Sequence, residues 1–246
     1  MNIEIQTIYE DENTLVINKP VGVVVNRAET VRDETIQAWV EKKMADEPDK
    51  WNREGNLFTQ RSGICHRLDK ETSGCLMIAK NQAALIHYLA QFKERKIKKV
   101  YQALVHGRVE PKEGEVRLPL KRSMFDREKW QVHYEGKGAI TEWSVKERYL
   151  FDNTPHFKNS LTLLKLNLKT GRTHQIRVHL SFLGWPIFAD DKYLNKEISK
   201  RDRELLNHHF LHAGYLEFTN FSGQRVSVEA PLPEDCTNLL TRLMLE

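Results

Sequence analysis

His66-Arg67-Leu68-Asp69-Lys70-Glu71-Thr72-Ser73-Gly74-Cys75-Leu76-Met77-Ile78-Ala79 is the stretch on which the reading of this chain turns. A short apolar segment ends in a carboxylate, a Thr72-Ser73-Gly74 turn follows, and a second apolar run begins at Leu76. Turn residues between two such runs put Asp69 at an exposed bend on a rigid framework, where a reactive group belongs. Residues i and i+2 of a strand share a face, so Arg67 and Asp69 are expected side by side. An arginine within about 4–6 Å favours the charged carboxylate, the form needed for covalent glycosyl transfer. A turn aspartate that caps a backbone amide is the plainer alternative, and the local pattern leaves both open.

A second stretch supplies positive charge. Leu164-Lys165-Leu166-Asn167-Leu168-Lys169 alternates strictly and predicts a half-buried strand. Thr170-Gly171 then turns into a helix from about Thr173, with Ile176, Leu180 and Leu183 on one face, Gly184 at its end and Pro186 beyond. Arg172 falls at the helix start and Arg177 one turn in. Amides at a helix start together with arginine make an anion site. The anion is a phosphate or a carboxylate from elsewhere in the chain, and an amphipathic helix with a solvated basic face remains the alternative.

The 246 residues suit one large domain or two packed subdomains with a real core. Lys and Arg number 38 against 34 Asp and Glu, a balance that permits a nucleic-acid partner without requiring one. Cys65, Cys75 and Cys236 lack metal-ligand spacing, and their odd count fits a reducing cytosol. The N-terminus does not read as a signal peptide, and no apolar run approaches the ~20 residues that span a bilayer. His208, His209 and His212 have no partnering cysteine or HExxH pattern, so solvated or core histidines are expected there.

Elsewhere, 15–19 reads as a strand stopping at Lys19-Pro20, 35–44 as a helix, and 46–61 as a loop. A helix is predicted over 81–96, capped by Asn81 and carrying Leu85, Tyr88, Leu89 and Phe92 on one face. Strands are predicted over 100–105, 211–218 and 226–228, and an extended hairpin or insertion over 107–138. The basic run Lys93, Arg95, Lys96, Lys98 and Lys99 reads as a solvated helix end or as phosphate contacts; Tyr101 just beyond it is a core tyrosine or a stacking platform for a base. Without regular βαβ alternation the class is α+β, a mixed sheet with flanking helices.

Together these segments resemble the RluA-type family of pseudouridine synthases. The resemblance rests on Asn18-Lys19-Pro20-Val21-Gly22, His66-Arg67-Leu68-Asp69 with Thr72-Ser73-Gly74, Lys99-Val100-Tyr101, Gly171-Arg172-Thr173-His174-Gln175-Ile176-Arg177 and Leu211-His212-Ala213, in the family's order across nearly the whole chain. It implies isomerisation of uridine to pseudouridine in structured RNA, tRNA or rRNA, without cofactor or metal. It implies a largely antiparallel bifurcated sheet flanked by helices. Asp69 is then the catalytic aspartate, Arg67 the residue that enters the RNA stack, Tyr101 the stacking residue, Arg177 the cation paired with the aspartate, and Leu211 a pocket wall. Arg172 and His174 join the basic run as expected RNA contacts. The expectation is one catalytic domain over 1–246 without a separate N-terminal RNA-binding domain, a monomer acting in the cytoplasm and not on a membrane.

Overall fold

The computed structural model describes residues 4–27, 33–52, 54–151 and 159–246. In chain order the elements are β1 (Gln6–Glu10), β2 (Thr14–Lys19), α1 (Ile36–Asp46), a 3-10 turn at Pro48–Lys50, α2 (Asn56–Arg61), β3 (Ser73–Ala79), α3 (Gln82–Lys93) and β4 (Lys98–His106). Then come β5 (Glu113–Arg117), β6 (Leu120–Arg122), β7 (Trp130–Val132), β8 (Ile140–Leu150) and β9 (Ser160–Leu168). The chain finishes with α4 (Gln175–Phe182), α5 (Lys196–Leu205), β10 (Leu211–Thr219), β11 (Arg225–Glu229), α6 (Glu234–Arg242) and β12 (Met244–Leu245). The class is α+β, as the mixed pattern predicts. Two compact units divide it: Met1–Lys98 with Ala213–Pro231, and Lys99–His212 with Leu232–Glu246.

In the first unit β1, β2, β3 and β10 lie in that order, with β11 on β10. β1 pairs with β2, β2 with β3 and β10 with β11, each antiparallel. Every residue of β3 is buried, which explains its continuous apolar run: a strand covered on both faces has no reason to alternate. The starts of α1 and α3 are marked by side-chain caps. Thr35 accepts a hydrogen bond from Ala38 N at 3.1 Å, and Asn81 from Ala84 N at 2.8 Å, the side-chain caps expected of these residues. α3 ends at Lys93, three residues early, because Arg95 takes a left-handed φ of 60°. The 46–61 segment, expected as a loop, forms the 3-10 turn and α2, with residue 53 outside the description; six residues with Phe58 alone buried leave no periodicity to detect.

In the second unit β4, β9, β8 and β12 lie in order and β5 flanks β8, again antiparallel in each pair. β9 shows the predicted alternation, with Leu164, Leu166 and Leu168 buried, Lys165 exposed and Asn167 half-buried. Leu104, Leu161, Leu163, Phe188, Phe210 and Leu239 belong to its main core. The 107–138 segment resolves into β5 and the β6–β7 hairpin. Leu120, Ala139 and Val178 form a smaller core there, against which Trp130 and Tyr193 pack. α4 starts at Gln175, two residues later than predicted, because His174 is left-handed with φ 54°; Gly184 ends it with φ 82°. Among the described residues no helix is long and apolar enough to cross a membrane.

Gly74 has a role that its turn-like sequence setting hides. It lies inside β3, opposite Lys19 on β2, with φ +110°. A Cβ there would lie 2.3 Å from the carbonyl oxygen of Ala213 on β10. Only glycine allows both the dihedral and the approach of the neighbouring backbone. Gly74→Ala is therefore expected to destabilise the protein by about 2–3 kcal/mol, measured as a drop in the urea midpoint at unchanged slope; an unchanged midpoint refutes the close-packing account.

Candidate active site

Asp69 stands on a turn and not on a strand. The segment leading to Asp69 forms no strand of its own and is joined to β3 by an Ile64–Ile78 bridge and by Cys65 N donating to Met77 O at 3.1 Å. The expected strand before Asp69 is reduced to the isolated bridge at Ile64. The alternation of side chains survives: Leu68 is buried, Arg67 exposed and Asp69 half-buried. His66 is a structural residue here. Its Nε2 accepts from Met77 N at 3.0 Å, which places the proton of a neutral ring on Nδ1, and its ring lies 4.9 Å from that of Phe92.

The turn itself closes through Thr72 N donating to Asp69 O at 3.1 Å. Lys19, the last residue of β2, clamps it. Its side chain is fully buried, and its Nζ donates to Pro20 O at 2.7 Å, Val23 O at 2.8 Å and Lys70 O at 3.0 Å. Gly22 N donates to the same Lys70 carbonyl at 3.0 Å. Two turns, one after β2 and one after Asp69, are thus tied to a single ammonium group. Burial lowers the pKa of Lys19 to about 7, and the charge of Asp69 opposes that shift. Three carbonyl acceptors match the three N–H donors that only the ammonium form offers.

The second unit holds the other motif. Arg177, inside α4, is buried. Its Nε donates to Asp190 Oδ2 at 2.7 Å and its Nη2 to Asp190 Oδ1 at 2.8 Å. Of the two anions left open by the sequence, a phosphate or a carboxylate of the chain, this arginine has a carboxylate. Burial works against ionisation of Asp190, yet the hydrogen bonds and charge of Arg177 outweigh it and hold the carboxyl below its usual range. Gln175 occupies the start of α4: its Oε1 accepts from Arg172 N at 3.0 Å and from Thr170 Oγ1 at 2.7 Å. These bonds tie the Thr170–Arg172 turn to the first residue of α4. Arg172 is exposed, with Nε donating to Gly138 O at 3.2 Å, and His174 shares a 2.8 Å hydrogen bond with the Tyr193 hydroxyl.

Tyr101 is buried on β4, opposite Leu166 of β9. Lys99, two residues earlier on the same strand face, is half-buried, and burial lowers its pKa to about 8. It therefore differs from the rest of the basic run, since Lys93, Arg95, Lys96 and Lys98 are exposed. Lys96 pairs with Glu94 at 2.7 Å, and Lys98 lies 5.6 Å from the Tyr215 ring centre. Leu211 opens β10 and is buried.

Cys65, Cys75 and Cys236 are buried thiols. Burial pushes all three up, Cys75 to about 12, so none is primed as a nucleophile. His208 shows a feature that spacing does not reveal: it meets Asp235 at 2.9 Å, near Cys236. Its other nitrogen faces His209 O at 3.1 Å. Lys19 as a clamp and Asp190 as the partner of Arg177 were not assigned these roles from sequence. A lysine ending an apolar strand was the only hint of the first; a sequence separation of thirteen hides the second.

The model of the RNA pseudouridylate synthase family matches residues 13–182, a span that contains both motifs. A Bacillus subtilis protein named as an uncharacterised RNA pseudouridine synthase is 37% identical over 98% of this chain and 73% of its own length. An Aquifex aeolicus protein with the same description is 41% identical over 84% of this chain and 61% of its own. The ribosomal large subunit pseudouridine synthase D of Pseudomonas aeruginosa is 35% identical over 98% of this chain and 72% of its own. Among solved structures, human RNA pseudouridylate synthase domain containing 1 superposes with a TM-score of 0.75 at 26% identity, covering 99% of this chain and 89% of that one.

Two outcomes follow from the buried ions. Lys19→Met removes a donor from three carbonyls, of which Lys70 O keeps Gly22 N, and is expected to cost about 3 kcal/mol; urea unfolding measures this, and faster amide exchange at Gly22 locates it. Asp190 is the acidic case. Its native pKa lies below the unfolded value of about 3.9, so its contribution is complete above that pH and is lost as pH falls through the lower native value. The melting temperature of Asp190→Asn should therefore fall less steeply than that of the wild type below about pH 4; parallel curves would contradict the assignment.

Proposed function

We propose, from the premise that this chain belongs to the RNA pseudouridylate synthase family, that it isomerises specific uridines of ribosomal or transfer RNA to pseudouridine through Asp69. The observation that carries the reading is the His66-Arg67-Leu68-Asp69 turn, clamped by Lys19, within the matched family span. Ribosomal RNA of the large subunit is the first substrate to test, because the Pseudomonas aeruginosa relative bears that name.

The reaction breaks the bond from ribose C1′ to uracil N1 and joins C1′ to C5. The proton leaves C5 and N1 gains one, so product and substrate have the same atoms and no co-substrate enters the balance. The base must leave the RNA stack, which costs a few kcal/mol, and must be retained while detached. One carboxylate, a stacking platform and a closed pocket meet those needs. In this reading Asp69 is the carboxylate on which cleavage and re-formation depend, Tyr101 stacks on the uracil, Arg177 is the cation of the reaction and Leu211 is a wall of the pocket. Arg67, exposed next to the turn, takes the place of the departed base. Lys93, Arg95, Lys96, Lys98, Lys99, Arg172 and His174 contact the RNA.

Asp69→Ala should lower the isomerisation rate by on the order of 10⁴-fold or more while RNA affinity stays within about threefold. Pseudouridine mapping of RNA from cells with and without the protein identifies the target uridine, and single-turnover assays on that transcript give the rate. Turnover near the wild-type rate in Asp69→Ala would overturn the assignment.

A further inference from the structure

Arg177 and Asp190 form a buried ion pair with more hydrogen bonding than attachment of a helix requires. The fork joins Nε and Nη2 of the arginine to both carboxylate oxygens, a bidentate geometry that fixes the guanidinium plane as well as its distance. The Tyr193 ring lies 5.2 Å from Cζ. The carboxylate is itself immobilised, since Asp190 Oδ1 also accepts from Lys192 N at 2.9 Å and Tyr193 N at 3.1 Å.

The backbone just before Asp190 is strained and held in that state. Ala189 has φ +60°, a region that costs a non-glycine residue on the order of 1 kcal/mol or more. Its N–H donates to Asp202 Oδ2 at 2.9 Å, and its carbonyl accepts from Arg203 Nε at 3.1 Å. Asp202 Oδ2 also meets His106 Nε2 at 2.7 Å, both side chains being buried. Two charged residues thus enforce an unfavourable dihedral whose effect is to aim Asp190. Buried ion pairs seldom add net stability over an apolar pair of similar volume. What the fork supplies that apolar packing does not is a fixed direction for the charge.

We propose that Asp190 is a positioning residue for the reaction: through the fork it sets the plane of the Arg177 guanidinium, with Ala189, Asp202 and Arg203 holding Asp190 in place. This rests on the functional reading above, in which Arg177 is the cation of the reaction. Misplacing a group by about 1 Å can cost 10²-fold in rate, so loss of the fork should appear in the chemical step and not in RNA binding.

The test is a double-mutant cycle on the mapped RNA, with single-turnover rate and RNA affinity measured for wild type, Asp190→Asn, Arg177→Met and the double variant. Asp190→Asn is expected to lower the rate about tenfold or more with unchanged affinity, and to have less than a twofold effect when added to Arg177→Met. Independent, multiplicative losses would overturn the proposal, because Asp190 would then not act through Arg177. A second readout needs no turnover. The Arg177 Nε–H resonance, assigned by its loss in Arg177→Met, should exchange slowly in wild type and in Asp69→Ala but rapidly in Asp190→Asn. Slow exchange retained in Asp190→Asn would refute the fork's role even if that variant is inactive for reasons of stability. The two readings fail separately: an active Asp69→Ala removes the functional reading, whereas an inactive Asp69→Ala beside a fully active Asp190→Asn removes only the positioning role.

Discussion

A buried ammonium group organises the turn on which Asp69 stands. Lys19 could have been an apolar residue at the end of β2. Instead its Nζ gathers the carbonyls of Pro20, Val23 and Lys70. Turns rich in such carbonyls are normally solvated, because a buried unpaired carbonyl is costly. One cation with three donors holds the two turns together in register. The cost is desolvation of the charge, visible in the lowered pKa of Lys19. The benefit is a loop whose position is set by a strand end and not by its own flexibility.

The same economy governs the second motif. Gln175 uses both ends of its amide at the start of α4, accepting from Thr170 and Arg172 and donating to Ile140 O and Thr141 Oγ1, each at 3.0 Å. His179, one turn on, shares a 2.9 Å hydrogen bond with Thr141 Oγ1 and faces Leu118 O at 3.0 Å. The polar residues of Gly171-Arg172-Thr173-His174-Gln175-Ile176-Arg177 are therefore mostly internal ties. A stretch that looks like a basic surface helix in one dimension is a helix whose central residues are buried. Networks of this kind are high-stakes, since each unpaired member in a low dielectric is expensive; that cost accounts for the density of polar residues in so short a segment.

Sequence reasoning reached the strands and helices that carry strong local signals. Asn81 and Thr35 cap helices because a side-chain oxygen satisfies an orphan amide wherever the chain turns into a helix. β9 alternates because one face is buried. Where the signal was weak, the expectations slipped. α2 is six residues with one buried side chain, α5 and α6 were not predicted, and Arg95 ends α3 early through a dihedral that an arginine rarely adopts. Gly74 was read as a turn residue because its neighbours Thr72 and Ser73 are turn formers. Its real constraint is the backbone of Ala213, far away in sequence.

The sequence by itself determined the α+β class and the family, because those rest on residue types at short fixed spacings: Arg67 two residues before Asp69, Arg172 before Arg177, Tyr101 after Lys99. Only the tertiary structure decided what holds them. Lys19 meets Lys70 across fifty-one residues and Arg177 meets Asp190 across thirteen. No periodicity encodes such pairings, because they depend on where strands end and loops return. A charged residue in an apolar context reads the same in sequence whether it is solvated, paired or clasped by carbonyls, and burial is what separates those fates.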